Sequence, residues 1–231
     1  MTAGLSPNHG PRRDGLRPEL IVLHFTAMQS HEAARARLCD PGAEVSAHYL
    51  ISSRGEVDLL VPEDRRAWHA GQGEWGGRGD VNSRSIGIEL DNDGASPFPE
   101  PLMAALEVLL PGIMARWSIA PEGVIAHSDM APLRKVDPGP RFDWRRLARQ
   151  GLSVWREPGA PVPLDPVPLD PVRFVADARR FGYPDLPADI LLAAVRLRFR
   201  PWGRGPLSGA DMAVMADLAR RFPVDVEDAR A

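Results

Sequence analysis

The sequence predicts an α/β fold followed by a small all-helical unit. Three observations carry this expectation. Short, apolar, β-branched runs alternate with helical patterns through residue 156. Residues 157–172, EPGAPVPLDPVPLDPV, then change the composition abruptly and repeat PVPLD. Beyond them only helical periodicity remains.

The elements follow in order. Leu20 to Phe25, LIVLHF, has the length and β-branched content of a buried strand. Ser46 to Ser52 and Glu56 to Val61 read as two more strands, joined at Arg54-Gly55 by a turn that suits a hairpin. Ser85 to Leu90, SIGIEL, is a fourth, and Val124 to Ala126 a short fifth that ends at His127. His31 to Leu38 reads as a helix with Ser30 as its N-cap. Pro101 to Trp117 reads as an amphipathic helix that Pro111-Gly112 should kink or split. Asp143 can cap a short helix over Trp144 to Gln150.

The proline-rich stretch favours extended polyproline conformation, so it reads as a linker over 157–172 between domains at 1–156 and 173–231. In the second domain, Arg173 to Phe181, Pro187 to Phe199 and Ser208 to Phe222 read as helices. Ser208 and Asp211 stand at capping-box spacing, and Met212, Met215, Leu218, Ala219 and Phe222 form a stripe that reads as core. A unit this small is marginal alone, so it is expected to pack on the first domain.

Composition sets limits. The chain has 231 residues, 44% of them hydrophobic and 26% charged, as a soluble globular protein has. Its net charge of −3 argues against a general attraction to nucleic acid or an acidic membrane. Cys39 is the one cysteine, which excludes an intrachain disulfide and a Cys-based zinc cluster. No apolar run is long enough for a membrane span. The first twenty residues lack the apolar stretch of a secretory signal, so a cytoplasmic address is expected, with a periplasmic one still compatible.

The chemistry gathers at residues 127–140, HSDMAPLRKVDPGP, where one turn-rich stretch carries His127, Lys135 and Asp137. A catalytic zinc takes three N or O ligands from protein and leaves one position for water. The loop can turn back to bring His127 and Asp137 to one ion, and His24 sits near the end of a neighbouring strand. On residue types alone, plainer readings stay open. A strand histidine is commonly structural, Asp137 before proline is a common turn residue, Lys135 can be merely solvated, and Glu89 can pair with Arg84. The HEXXH pattern is absent.

Four segments in order, LIVLHFTA, VSAHYLISSRGEVDLLVPEDRRAWHAG, NSRSIGIELDN and HSDMAPLRKVDPG, resemble the zinc N-acetylmuramoyl-L-alanine amidases of the AmpD/AmiD type, within the peptidoglycan recognition protein superfamily. The resemblance runs from about Pro7 to Leu147. The C-terminal region resembles the small helical peptidoglycan-binding-like domain of AmiD-type enzymes. The resemblance implies a mixed central β-sheet flanked by helices, with Zn2+ at one end of the sheet. It implies His24, His127 and Asp137 as zinc ligands, Glu89 as general base, and Lys135 as the charge that stabilises a developing oxyanion.

The implied reaction is hydrolysis of the amide between N-acetylmuramic acid, or its anhydro form, and L-alanine in peptidoglycan fragments (muropeptides), for wall turnover or recycling. The alternative is a peptidoglycan-binding module without catalysis. Some relatives carry a tyrosine where this chain has Ala47, which leaves base catalysis to Glu89 and makes His48 structural. His69, Trp75, Asn82 and Arg84 are expected substrate contacts, although packing beneath the zinc suits His69 equally. His9 and His31 are expected to face solvent.

Overall fold

A computed structural model describes residues 5–157 and 169–224. Its centre is a five-stranded mixed sheet. The strands are β2 (Leu20–Phe25), β3 (Tyr49–Ile51), β4 (Val57–Leu59), β6 (Ser85–Leu90) and β7 (Val124–Ala126), in the order β4-β3-β6-β2-β7. β4 pairs antiparallel with β3 through the expected hairpin, where Gly55 takes φ +88° and its N–H donates to Ser52 O. The other pairings are parallel. A separate two-stranded ribbon of β1 (His9–Pro11) and β5 (Arg65–Ala67) leads into the AWHAG segment; sequence patterning missed it because neither strand alternates.

The two sheet faces have different jobs. Ile21, Leu23, Ile86, Ile88, Leu90, Tyr49 and Ile51 point to one side and pack under α3 (Glu100–Trp117). Their nearly complete burial contributes about 1.5–3 kcal/mol per large side chain. The expected break at Pro111 is absent: α3 runs through it unbroken. A proline deletes one amide donor, and Leu102, Leu106, Leu110 and Ile113 keep the helix pressed on the sheet across that point. On the opposite face, Leu20, Val22 and Ile125 are apolar, while His24 and Glu89 stand at the C-terminal strand ends.

Capping expectations carry into local structure. Ser30 Oγ accepts from Ala33 N–H to start α1 (His31–Cys39), and Asp143 accepts from Arg146 N–H to start α5 (Trp144–Arg149). Two one-turn helices went unread in the sequence, α2 (Val81–Arg84) and α4 (His127–Met130). The second corrects the expectation that His127 opens a loop. The histidines expected in solvent are also corrected. His31 is mostly buried and sits 2.9 Å from Asp58, and His9 Nδ1 accepts from Arg65.

Helices α6 (Pro171–Phe181), α7 (Ala188–Phe199) and α8 (Gly209–Arg221) share one apolar cluster with the His24 side of the sheet. Phe174, Phe181, Leu191, Met212 and Met215 of the helices belong to the same cluster as Val22, Trp75 and Ile125. Most of the expected linker lies outside the described residues, and its last two residues already form the first turn of α6, capped by Asp170. Asp211 accepts from Ser208 N–H and pairs with Arg196 and Arg200, so its carboxylate serves helix and tertiary contacts together.

The junction contains a buried polar triad. Asp129, in α4, pairs with Arg198 of α7, and both are 0% exposed. Tyr183 Oη donates to Asp129 at 2.7 Å, and Arg198 also donates to Val124 O and Ser153 Oγ. The Arg198 guanidinium lies 4.2 Å from the Trp144 ring centroid. Replacing Arg198 with Met should destabilise the protein by about 3–5 kcal/mol in urea denaturation, because a dry carboxylate loses its counter-charge.

A second polar knot fastens the far side of the sheet. Glu63 accepts from Tyr49 Oη, Arg116 and Trp117 Nε1. Burial would raise its pKa, but these donors prevail and hold it near 2. A depressed folded pKa adds stability above the unfolded value, and that stability is lost as pH falls through the folded one. Glu63→Gln should therefore lower stability at pH 7 by about 1–3 kcal/mol. The gap from wild type should close between about pH 4.5 and 2 in pH-dependent melts.

Candidate active site and metal centre

Register builds the site. β2 pairs with β6 so that His24 lies directly beside Glu89, and with β7 so that Leu23 lies beside Ala126. The next residue, His127, therefore emerges next to His24. Asp137 returns through a loop pinned at both ends. Ser128 N–H donates to Asp137 O, and Lys135 N–H donates to Ala131 O. Arg134 crosses beneath, donating to the carbonyls of Ala70 and Gln72.

The result is a tight triangle of donor atoms. His24 Nδ1 is 2.9 Å from both His127 Nδ1 and Asp137 Oδ2, and His127 Nδ1 is 3.0 Å from the same carboxylate oxygen. All three residues are buried, and these are the three that could hold one metal ion among the described residues. The chemistry of the set fits a cation. His127 Nε2 donates to Ala70 O at 2.9 Å, so its Nδ1 presents a lone pair to Asp137. Lone pairs facing at 3 Å repel unless a positive charge sits among them.

Electrostatics agree. Burial, reinforced by the neighbouring His127, lowers His24 to a pKa of about 4, so its imidazole is neutral at pH 7. Asp137 is pushed up by burial but held far below the usual carboxylate range by the imidazoles. Glu89 moves the other way. Burial and the Asp137 charge raise it to about 8, against a partial pull from Lys135. Its Oε2 is buried and has no hydrogen-bond partner.

His24, Glu89, His127, Lys135 and Asp137 line one open cavity of about 330 Å³, with Trp68 and His69 along its wall.

Three expected substrate contacts, Trp75, Asn82 and Arg84, lie outside the cavity lining. Trp75 is 3% exposed and lies edge-on to Phe181 and Tyr183, outside the cavity. Gly182 allows this approach, since a Cβ there would come within 2.4 Å of the indole. Trp75 therefore docks the helices. Arg84 is equally buried. Its Nε donates to Glu19 at 2.6 Å and its Nη1 to Arg78 O, and Glu19 rather than Glu89 is its ion-pair partner.

Asn82 Oδ1 accepts from the N–H groups of His69 and Ala70, which ties the AWHAG segment down. His69 borders the cavity and is 9% exposed. His48 is buried and structural: Nδ1 accepts from Gly87 N–H, and Nε2 faces Arg65 O.

Reasoning from sequence missed the supporting groups Ser85, Ala70 O and Arg134. One signal was available. Gly87 interrupts a strand, and a strand glycine often marks a close approach. A Cβ at Gly87 would fall 2.3 Å from His69 Cγ.

Comparison with known proteins gives consistent matches. A family model described as N-acetylmuramoyl-L-alanine amidase matches residues 14–140. The chain is 35% identical over 227 residues to the N-acetylmuramoyl-L-alanine amidase AmiD of Escherichia coli (strain K12), covering 91% of this chain and 68% of that protein. It is 35% identical over 159 residues to the 1,6-anhydro-N-acetylmuramyl-L-alanine amidase AmpD of Enterobacter cloacae, covering 62% of this chain and 85% of that protein.

Among solved structures, the E. coli AmiD complex with anhydro-N-acetylmuramic acid-L-Ala-D-γ-Glu-L-Lys superposes with a TM-score of 0.82 at 33% identity, over 92% of this chain and 93% of that one. AmpDh3 of Pseudomonas aeruginosa in complex with anhydromuramic pentapeptide gives 0.78 at 31% identity, over 91% and 94%.

The triangle should bind one divalent ion per chain, and His127→Ala should abolish that binding, as measured by elemental analysis after gel filtration. Saturating zinc at about 1,000 times Kd should add about 4 kcal/mol to wild-type stability and nothing to the variant.

Proposed function

The chain belongs to the N-acetylmuramoyl-L-alanine amidase family, and from that premise we propose that it is a zinc hydrolase. It cuts the amide between the lactyl group of N-acetylmuramic acid, or its anhydro form, and L-alanine in peptidoglycan fragments. The observation that carries this reading is the triangle of two imidazole Nδ1 atoms and one carboxylate oxygen, 2.9–3.0 Å apart, in the same cavity as a partnerless Glu89 oxygen. The substrate class follows the relatives, two of which have solved structures with anhydromuramic peptides. A cytoplasmic address goes with soluble fragments as substrate, and cell fractionation tests it.

His24, His127 and Asp137 would hold the ion. An N, N, O set without thiolate suits zinc and leaves a position for exchangeable ligands. Bound there, zinc supplies Lewis acidity, which polarises a carbonyl and acidifies water toward a pKa of about 7.

The chain's own groups do the rest. Glu89 accepts a proton from the attacking water, for which its raised pKa is well matched near neutral pH. It then delivers that proton to the alanine nitrogen as the C–N bond breaks. Lys135 brings a positive charge to the side of the cavity where the carbonyl oxygen becomes negative. Met28, Leu38 and Val45 add an apolar lining beside these charges.

Mass spectrometry of products from defined muropeptides should show free stem peptide beginning at L-alanine, and a chelator should stop its release. Binding of muropeptides without cleavage in zinc-loaded protein would instead establish a recognition module. Parallel assays on intact sacculi distinguish soluble fragments from whole wall.

Glu89→Gln should retain zinc and lose about 10²–10⁴ in kcat. Lys135→Met should lose about 10²–10³ in kcat with little change in KM, read from steady-state kinetics.

A further inference from the structure

The manner in which His24 is held defines a role for residues that touch neither metal nor substrate. A histidine ligates through whichever ring nitrogen lacks a proton, and the partner of the other nitrogen decides which one that is. For His127 the decision is direct, because Nε2 faces the Ala70 carbonyl, a pure acceptor. His24 has no carbonyl. Its Nε2 lies 3.0 Å from His69 Nδ1, a contact that either ring can donate.

The ambiguity resolves one step further on. His69 Nε2 lies 3.1 Å from Ser85 Oγ, and Ser85 Oγ lies 2.5 Å from Val81 O. A carbonyl only accepts, so the serine proton points at Val81 and Oγ is left to accept from His69 Nε2–H. His69 Nδ1 is then bare and accepts from His24 Nε2–H. His24 Nδ1 is in turn bare, and it is the nitrogen that faces His127 and Asp137.

We propose that Ser85 and His69 form a tautomer-setting relay, anchored on the Val81 carbonyl, that presents His24 to the metal through Nδ1. This rests on the reading of His24 as a metal ligand. It makes His69 and Ser85 positioning residues.

The fold is shaped for this relay. Gly87, between Ser85 and Glu89 on the same strand face, leaves the space that the His69 ring fills. Asn82 holds the N–H groups of His69 and Ala70 through one oxygen, so it sets the supports of both histidine ligands together.

The test uses the full chain, with zinc titrated against a competing chelator and long-range ¹H–¹⁵N spectra of the histidine rings. The zinc-loaded wild-type spectra should show the proton on Nε2 of both His24 and His69. His69→Ala should weaken zinc binding about 10–100-fold. His69→Asn should restore most of it, because Oδ1 stands near the old Nδ1 position and can only accept from His24. Ser85→Ala should give an intermediate loss and a mixed His69 tautomer.

A proton on Nδ1 of His69 in the zinc-loaded protein would overturn the relay, as would wild-type zinc affinity in His69→Ala or a failure of Asn to rescue. If wild-type protein binds no zinc, the metal reading falls and takes the relay with it. If zinc binds normally while His69→Ala is silent, the relay alone falls.

Discussion

The parallel register of β2 against β6 and β7 is the constraint on which the site depends. It sets His24 beside Glu89 and releases His127 next to His24. A slip of one residue would turn His24 toward the α3 core and bring Leu23 to the cavity. That slip is opposed by the continuous apolar set of Ile21, Leu23, Ile86 and Ile88, which α3 covers. The hydrophobic core on one face thus holds the chemistry on the other in place.

The second theme is neutral imidazole in a dry setting. His24, His48 and His69 all have pKa values lowered chiefly by burial. Each is kept uncharged by desolvation and kept oriented by a specific partner, which is the state a metal ligand and its support require. His24 and His69 border the cavity that also holds Glu89 and Lys135. Glu89 differs from the histidines because no group among the described residues satisfies its buried Oε2.

The C-terminal helices join this arrangement from below. They complete the core under the His24 face and place Arg198 against Asp129, two residues past His127. α4 is only one turn long and could not hold a fixed geometry by its own hydrogen bonds. Asp129 accepts from Ala126 N–H at its start, and Tyr183 and Arg198 fix that carboxylate from the helical side. The helices therefore brace the segment that carries His127, whatever surface they also present outward.

The sequence by itself determined the strands of the central sheet, most helices and their caps, because these depend on neighbours a few residues apart. LIVLHF and SIGIEL form β2 and β6 as their composition required, and Ser30, Asp143 and Asp211 cap or brace the helices they precede or begin. The ordered resemblance also picked out His24, His127 and Asp137, which the fold brings together from 103 and 113 residues away. Only tertiary structure decided what Trp75, Asn82, Arg84 and His69 do. Each is a polar or aromatic residue near the motifs, and from sequence each could equally meet a ligand. Their burial against Phe181, Ala70, Glu19 and Ser85 is a matter of through-space distance between segments, and hydrogen-bond direction at a buried imidazole is set by the carbonyl at the end of the chain of contacts.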